Sequence, residues 1–339
     1  MNLYKISLSL LVIALSLTGC KTSSTAVEPI QTTADYWQQI SADSMAVNLK
    51  VLTSDEFEGR RTGEPGQKKA TEYLVNFYQS HHIAYPKQAT SYIQPVPAKF
   101  MRGAMMRLKD SENVMAFIEG SEKPEEVLVI SAHYDHMGIL LDQIYYGADD
   151  NGSGTVAVME MARVFKSLEK QGIRPKRSVL FLHVTGEEFG LFGSKYYVAN
   201  PIVPLENIIA NINIDMIGRE DKKYAGKEDY IYVIGADKLS QDLHKMSESA
   251  NANSVNVTLD YTYNDEKHPD QYYYRSDHYS FAEKGIPAMF YFNGTHDDYH
   301  QPSDTYDKIS FPKLKTRTQL AFATAWTILN AKDKPKLDK

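Results

Sequence analysis

Along residues 36–335, short apolar runs alternate with segments in which apolar residues recur at helical spacing. The β-branched run Val127 to Ile130, in "EEVLVISAHYDHMG", predicts a strand ending at His133. "RSVLFLHVTGEE" predicts a second strand, "NIIANINIDMIG" a third ending at Asp215, "KYAGKEDYIYVIGAD" a fourth and "GIPAMFYFNG" a fifth. "KKATEYLVNFYQSHH", from Lys68, follows the turn "TGEPG" and reads as an amphipathic helix. "GADDNGSGTVAVMEMARVFKSLEK" reads as a glycine-rich loop opening into a helix near Gly154, and "HKMSESANA" completes another helix. This alternation predicts an α/β domain whose central mixed, largely parallel sheet is covered by helices on both faces. Residues 36–335 contain no internal repeat and no dense Pro, Gly or Ser linker, and the stretch between Tyr92 and Glu112 is too short for an inserted domain. A single domain is therefore expected there. The stretch from Tyr261 to Tyr274, rich in Tyr, Asp and His, reads as a long ordered loop of the kind that carries function.

The first residues break this alternation. "MNLYKISLSLLVIALSLTGC" has one early lysine, an apolar stretch too short to span a bilayer comfortably, and small residues after it, the layout of an export signal. Leu17-Thr18-Gly19-Cys20 resembles a bacterial lipobox, in which the cysteine is lipid-modified and becomes the new N-terminus. Cys20 is the chain's one cysteine, so no internal disulfide is expected and the core must hold the fold. Residues 1–20 are thus expected to be a lipoprotein signal peptide and residues 21–35, Ser/Thr-rich, a flexible tether. The 339 residues are 42% hydrophobic with a net charge of −6, leaving no excess of cations to neutralise phosphates and arguing against a nucleic-acid partner.

Ligands of open α/β sheets bind at the carboxyl ends of strands. His133, the pair Glu187 and Glu188, and Asp215 each fall just past a predicted strand end, so these polar sites converge on one edge. With Asp149 and Asp150 in the glycine-rich loop and His300 in "DDYHQPSDT", the set comprises imidazoles and carboxylates without a thiolate. Such donors suit zinc, with manganese or cobalt also compatible. Two ions about 3.5–4 Å apart need one shared carboxylate and terminal ligands for each. One of the adjacent glutamates can then bind metal while the other exchanges a proton with water. The sequence has no G-x-S-x-G for a serine route, and its glycine-rich loop lacks the Lys-Ser/Thr of a phosphate cradle.

In order and context, "SAHYDHMG", "GADDNGSG", "TGEEFGLFGS", "NIDMIG", "SDHYSF" and "HQPSDT" resemble the co-catalytic zinc exopeptidases of clan MH, which include secreted bacterial leucyl aminopeptidases and plasma glutamate carboxypeptidases. "LTSDEFEGRRTGEPGQKKATEYL" is similar to that family's N-terminal segment, so the resemblance covers nearly all of the mature chain. It implies two Zn2+ ions: His133 and Asp215 on one, Glu188 and His300 on the other, and Asp150, rather than Asp149, bridging them. It also implies Glu187 as general base, Asp135 as the carboxylate orienting His133, Ser276 and Asp277 as supporting residues, and Tyr273 as a stabiliser of the tetrahedral intermediate. The expected activity is aminopeptidase hydrolysis of extracytoplasmic peptides by an envelope lipoprotein anchored through Cys20, with Lys21 favouring the outer membrane.

Other readings compete. Arg275 or Lys267 gripping a free carboxylate would make the same site a carboxypeptidase or dipeptidase. A binder without metal and a glutaminyl cyclase-like transferase are further alternatives, both disfavoured by the intact ligand set. His136 is expected to be structural or at the rim, His183 a core residue, and His268 and His296 loop residues near the substrate.

Overall fold

The apolar runs do become strands, and their order in the sheet brings the polar strand ends together. The computed structural model describes residues 35–102, 107–265 and 267–338, all within one compact unit. The export signal, Cys20 and nearly all of the tether lie outside the described residues. In chain order the elements are α1 (Ala42–Leu52), α2 (Pro65–Ser80), β1 (Ile93–Val96), β2 (Ser111–Ile118), β3 (Lys123–His133), β4 (Gly138–Leu140) and β5 (Gln143–Tyr145). They continue with α3 (Gly154–Lys170), β6 (Arg177–Val184), α4 (Phe192–Ala199), β7 (Ile208–Ile214), β8 (Tyr230–Ile234) and α5 (Gln241–Ala252). The last are β9 (Thr258–Asp260), α6 (His278–Ala282), β10 (Ala288–Phe292) and α7 (Phe311–Asn330).

Eight strands form one sheet in the order β1-β2-β6-β3-β7-β10-β8-β9, and β4 and β5 form a separate hairpin. The four central strands, β6, β3, β7 and β10, are mutually parallel, whereas β1, β2 and β8 join antiparallel. In register, His133 lies opposite Val184, Ser131 opposite Asn213, and Tyr291 opposite Ile214. The carboxyl ends of β6, β3, β7 and β10 therefore share one edge at nearly one height. Every residue of β6, β7 and β10 is buried, as expected of strands covered on both faces. Two apolar clusters cover the two faces: Leu128, Ile130, Ile212 and Phe181 pack with α3 and α7, while Val129, Leu180, Leu182 and Phe281 pack with α4 and α6. Each large side chain so buried contributes about 1.5–3 kcal/mol. The mixed sheet matches the sequence expectation. Helix α7 is not among the predicted elements because its buried stretch from Leu314 to Leu329 mixes Thr, Gln and Arg into its apolar positions and shows no polar face. Among the described residues no helix is long and apolar enough to cross a membrane.

Candidate metal centre and cavity

Buried polar residues in β7 begin the construction of the site. Asn211 Nδ2 donates to Ser131 Oγ at 2.9 Å, Ser131 Oγ to Asn213 Oδ1 at 2.8 Å, and Asn213 Nδ2 to Ser276 Oγ at 2.7 Å. Ser276 Oγ in turn donates to Asp215 Oδ2 at 2.7 Å. A hydrogen-bonded chain through the sheet thus fixes the carboxylate at the end of β7, leaving its other oxygen 3.2 Å from His133 Nε2.

The glycine-rich loop supplies Asp150 beside them. Gly147 has φ 53°, and a Cβ there would stand 2.2 Å from the Asp150 carbonyl oxygen and 2.4 Å from the His136 ring. Only glycine permits that close turn. The peptide bond Asp150–Asn151 is cis. Asp150 points one oxygen at each histidine: Oδ1 is 3.3 Å from His133 Nε2, and Oδ2 is 3.1 Å from His300 Nε2. Glu188 Oε2 is 3.0 Å from the same His300 nitrogen. Two donors about 2.0–2.1 Å from one tetrahedral ion stand about 3.3 Å apart, so these separations suit shared ligation. Donor atoms of His133, Glu187 and Asp215 lie within 4.8 Å of one another, as do those of His133, Asp150 and Glu188.

The surroundings orient the donors. His133 Nδ1 donates to the Asp135 backbone carbonyl at 3.2 Å, which leaves Nε2 as the ligating nitrogen. The Asp135 carboxylate, expected to orient His133, is 3.8 Å from that Nδ1. It accepts instead from Thr62 Oγ1 at 2.6 Å and from the Glu187 backbone N–H at 3.3 Å. Asp277 is buried with neither oxygen hydrogen-bonded among the described residues. His136 is buried inside the site rather than at its rim, and its Nδ1 donates to Glu188 Oε1 at 2.6 Å.

Asp149 turns away from the centre, accepting from Gly218 N–H at 2.7 Å and contacting His296 Nε2 at 3.2 Å. Asp304 accepts from the backbone N–H groups of both Asp149 and Asp150, tying the His300 loop to the Asp150 loop. Arg60, fully buried, donates to the carbonyls of Leu52, Tyr134, Tyr146 and Gly147, bracing the same loop from the N-terminal segment. Neither Asp304 nor Arg60 was identified in the sequence; "EGRRTG" and "HQPSD", which contain them, were the available signals.

A cavity opens over these groups. Asp150, Glu187 and Asp215 line it together with the apolar Met216, Phe290 and Phe292. Tyr272, Tyr299 and Arg275 complete it. Tyr273, the expected stabiliser, is not among the lining residues: its ring packs against Tyr274, His278 and Tyr279, 5.2–5.6 Å between centroids. The run Tyr272–Tyr274 forms a tight 3-10 turn that aims the first tyrosine, not the second, at the cavity. Tyr299, stacked on His300 at 3.9 Å, supplies a phenol beside Glu187 and Asp150.

The electrostatics separate the two adjacent glutamates. Burial raises the Glu187 pKa well above the carboxylate range; His133 opposes this, and Asp215, Glu188 and Asp277 reinforce it. Glu188 is also raised by burial and by Asp150, but His136 and His300 more than offset this and hold it low. For Asp150, too, burial is outweighed by hydrogen bonding with His133 and His300, which takes it well below the usual range. Burial lowers His300, yet bonding to Asp150 and Glu188 carries it up to about 11. Burial, then Asp150 and Glu188, keep Tyr299 neutral. An imidazole with that proton affinity marks surplus negative charge that a cation can neutralise. Together with the separations between donors, it makes the nitrogen and oxygen set fit divalent zinc.

Known proteins resemble this chain in sequence and in fold. The chain is 29% identical over 241 residues to the aminopeptidase YwaD of Bacillus subtilis, covering 68% of this chain and 47% of that protein. It is 30% identical over 207 residues to a probable glutamate carboxypeptidase of Arabidopsis thaliana, covering 60% and 27%. Matches of this kind span 27–62% of the length of the first curated relatives. The crystal structure of the LapA aminopeptidase of Legionella pneumophila superposes with a TM-score of 0.67 at 22% identity, covering 88% of this chain and 74% of that one, a likeness of fold. Residues 113–325, which hold every proposed metal donor, match peptidase family M28, and the chain belongs to that family.

Proposed function

We propose that this chain is a di-zinc aminopeptidase that removes N-terminal residues from peptides. The observation that carries the reading is Asp150, which offers separate oxygens to His133 and His300. In this reading His133 and Asp215 would hold one ion, Glu188 and His300 the other, and Asp150 would serve both. Zinc held there would supply Lewis-acid polarisation of the scissile carbonyl and a water easier to deprotonate. Glu187, lining the cavity beside these donors, takes that proton and delivers it to the leaving amine. Tyr299 donates a hydrogen bond to the oxygen on which charge develops. The carboxylates on the cavity wall favour a cationic α-amino group at the substrate's first residue.

The test uses protein lacking residues 1–20, zinc-loaded, with free and N-acetylated leucine peptides, with and without chelator. Cleavage of the free peptide alone, abolished by chelator, is expected. Equal cleavage of both peptides would replace the reading with a carboxypeptidase or dipeptidase, which Arg275 in the cavity and the Arabidopsis relative favour. We propose further that the protein is exported and lipid-anchored through Cys20 in the cell envelope. Labelled fatty acid is expected to enter the wild-type chain and not C20S; equal labelling of both would dismiss the anchor.

A further inference from the structure

Arg163, Arg177, Arg219 and Arg317 each meet a carboxylate of the protein. Arg275 meets none within 4.0 Å among the described residues, although it lines the same cavity as Asp150, Glu187 and Asp215. Its one hydrogen bond there is a long contact, 3.5 Å, from Nη1 to the Asp270 carbonyl. The guanidinium carbon lies 4.9 Å from the centroid of the Tyr272 ring, and the exposed side chain leaves most of its N–H donors unengaged by the described residues. It is the only cation among the lining residues. A planar fork of donors set beside an aromatic ring and facing the cavity is suited to receive a carboxylate.

We propose that Arg275 is a specificity-determining residue that grips a carboxylate of the substrate, so that acidic peptides are favoured over their neutral counterparts. The inference rests on the function proposed above. The carboxylate can belong to a side chain flanking the scissile bond or to the free end of a dipeptide, and the test separates these sources.

The zinc-loaded mature chain would be assayed on three matched pairs: Leu-Gly against Leu-Gly-amide, Glu-Gly-amide against Gln-Gly-amide, and Leu-Glu-amide against Leu-Gln-amide. In at least one pair kcat/KM for the carboxylate member should exceed that of its partner roughly tenfold or more, and that pair identifies the source. Because a ratio cancels any general loss of activity, the same pair is then measured in variants whose fold is verified by melting temperature. The ratio should fall towards one in R275Q, persist in part in R275K and invert in R275E. A ratio near one for every pair in the wild type, or an unchanged ratio in R275Q, would overturn the role of Arg275 while leaving the peptidase reading intact. Failure of the folded, zinc-loaded wild type to cleave any of the six peptides would overturn the peptidase reading, and this inference with it.

Discussion

The cavity's lining draws on two kinds of wall: in the first, the Asp150 backbone N–H donates to Asp304 and the Asp215 carboxylate accepts from Ser276, both partners far away in the chain. In the second, Tyr272 and Arg275 come from the loop after β9, where Tyr274 is 41% exposed and Arg275 makes one long hydrogen bond. The first wall has carboxylates that must not move relative to one another, and burial in a low-dielectric site makes any misplacement costly. The second is held by ring packing, which tolerates changes of side chain. A chain built this way can keep its chemistry fixed while the substrate it selects changes.

That contrast can be broken at graded cost. Asp150→Asn should have the largest effect: both ions lose a ligand, and metal analysis should show reduced zinc content together with activity at background. Full zinc content with substantial turnover would remove Asp150 from the bridging position. Glu187→Gln should retain zinc but lower kcat by about 10²–10⁴-fold, the worth of general acid–base catalysis. Tyr299→Phe should lower kcat by about 10²–10³-fold, the cost of losing one donor to the developing oxyanion. Tyr273→Phe, measured beside it, should leave kcat/KM at the wild-type level; the reverse ranking would restore Tyr273 to the role first expected of it.

A further effect falls on stability rather than on turnover. His183, buried on β6 and hydrogen-bonded through Nε2 to Tyr78 at 2.6 Å, has its pKa pushed down by burial to about 3. Between that value and about 6.5 the unfolded chain binds a proton that the folded one refuses. Stability should therefore fall as pH drops through this window, by about 1.4 kcal/mol per pH unit from this residue, and not above it. His183→Gln, which still offers Tyr78 an acceptor, should show a shallower loss of melting temperature between pH 6.5 and 4. Parallel curves for the two proteins would dismiss His183 as the source.

The two walls also differ in how far the sequence discloses them. His133, Asp215 and the Glu187–Glu188 pair were legible because β-branched runs stop just before them and parallel strands align their ends. The Tyr272–Tyr274 run was not, because nothing local distinguishes three identical residues; the backbone turn after Gln271, with φ 47°, decides which one faces the cavity. His136 could not be placed because its partner Glu188 lies 52 residues away, across β3 and β6. Asp304 and Arg60 were invisible for the same reason, with partners 155 and 87 residues distant at Asp149 and Gly147. Long-range contacts of this kind emerge only from the assembled sheet.

Arg60 bears on where the working protein begins. The stretch matched to family M28 starts at residue 113, yet the guanidinium that props up the Gly147 carbonyl, and Thr62 on Asp135, come from before it. A fragment cut to the recognisable segment would retain every metal donor and lose the brace beneath them. The matched segment and the contacts that brace it therefore have different boundaries, and a shortened chain would have to include Arg60 and Thr62 to keep both contacts.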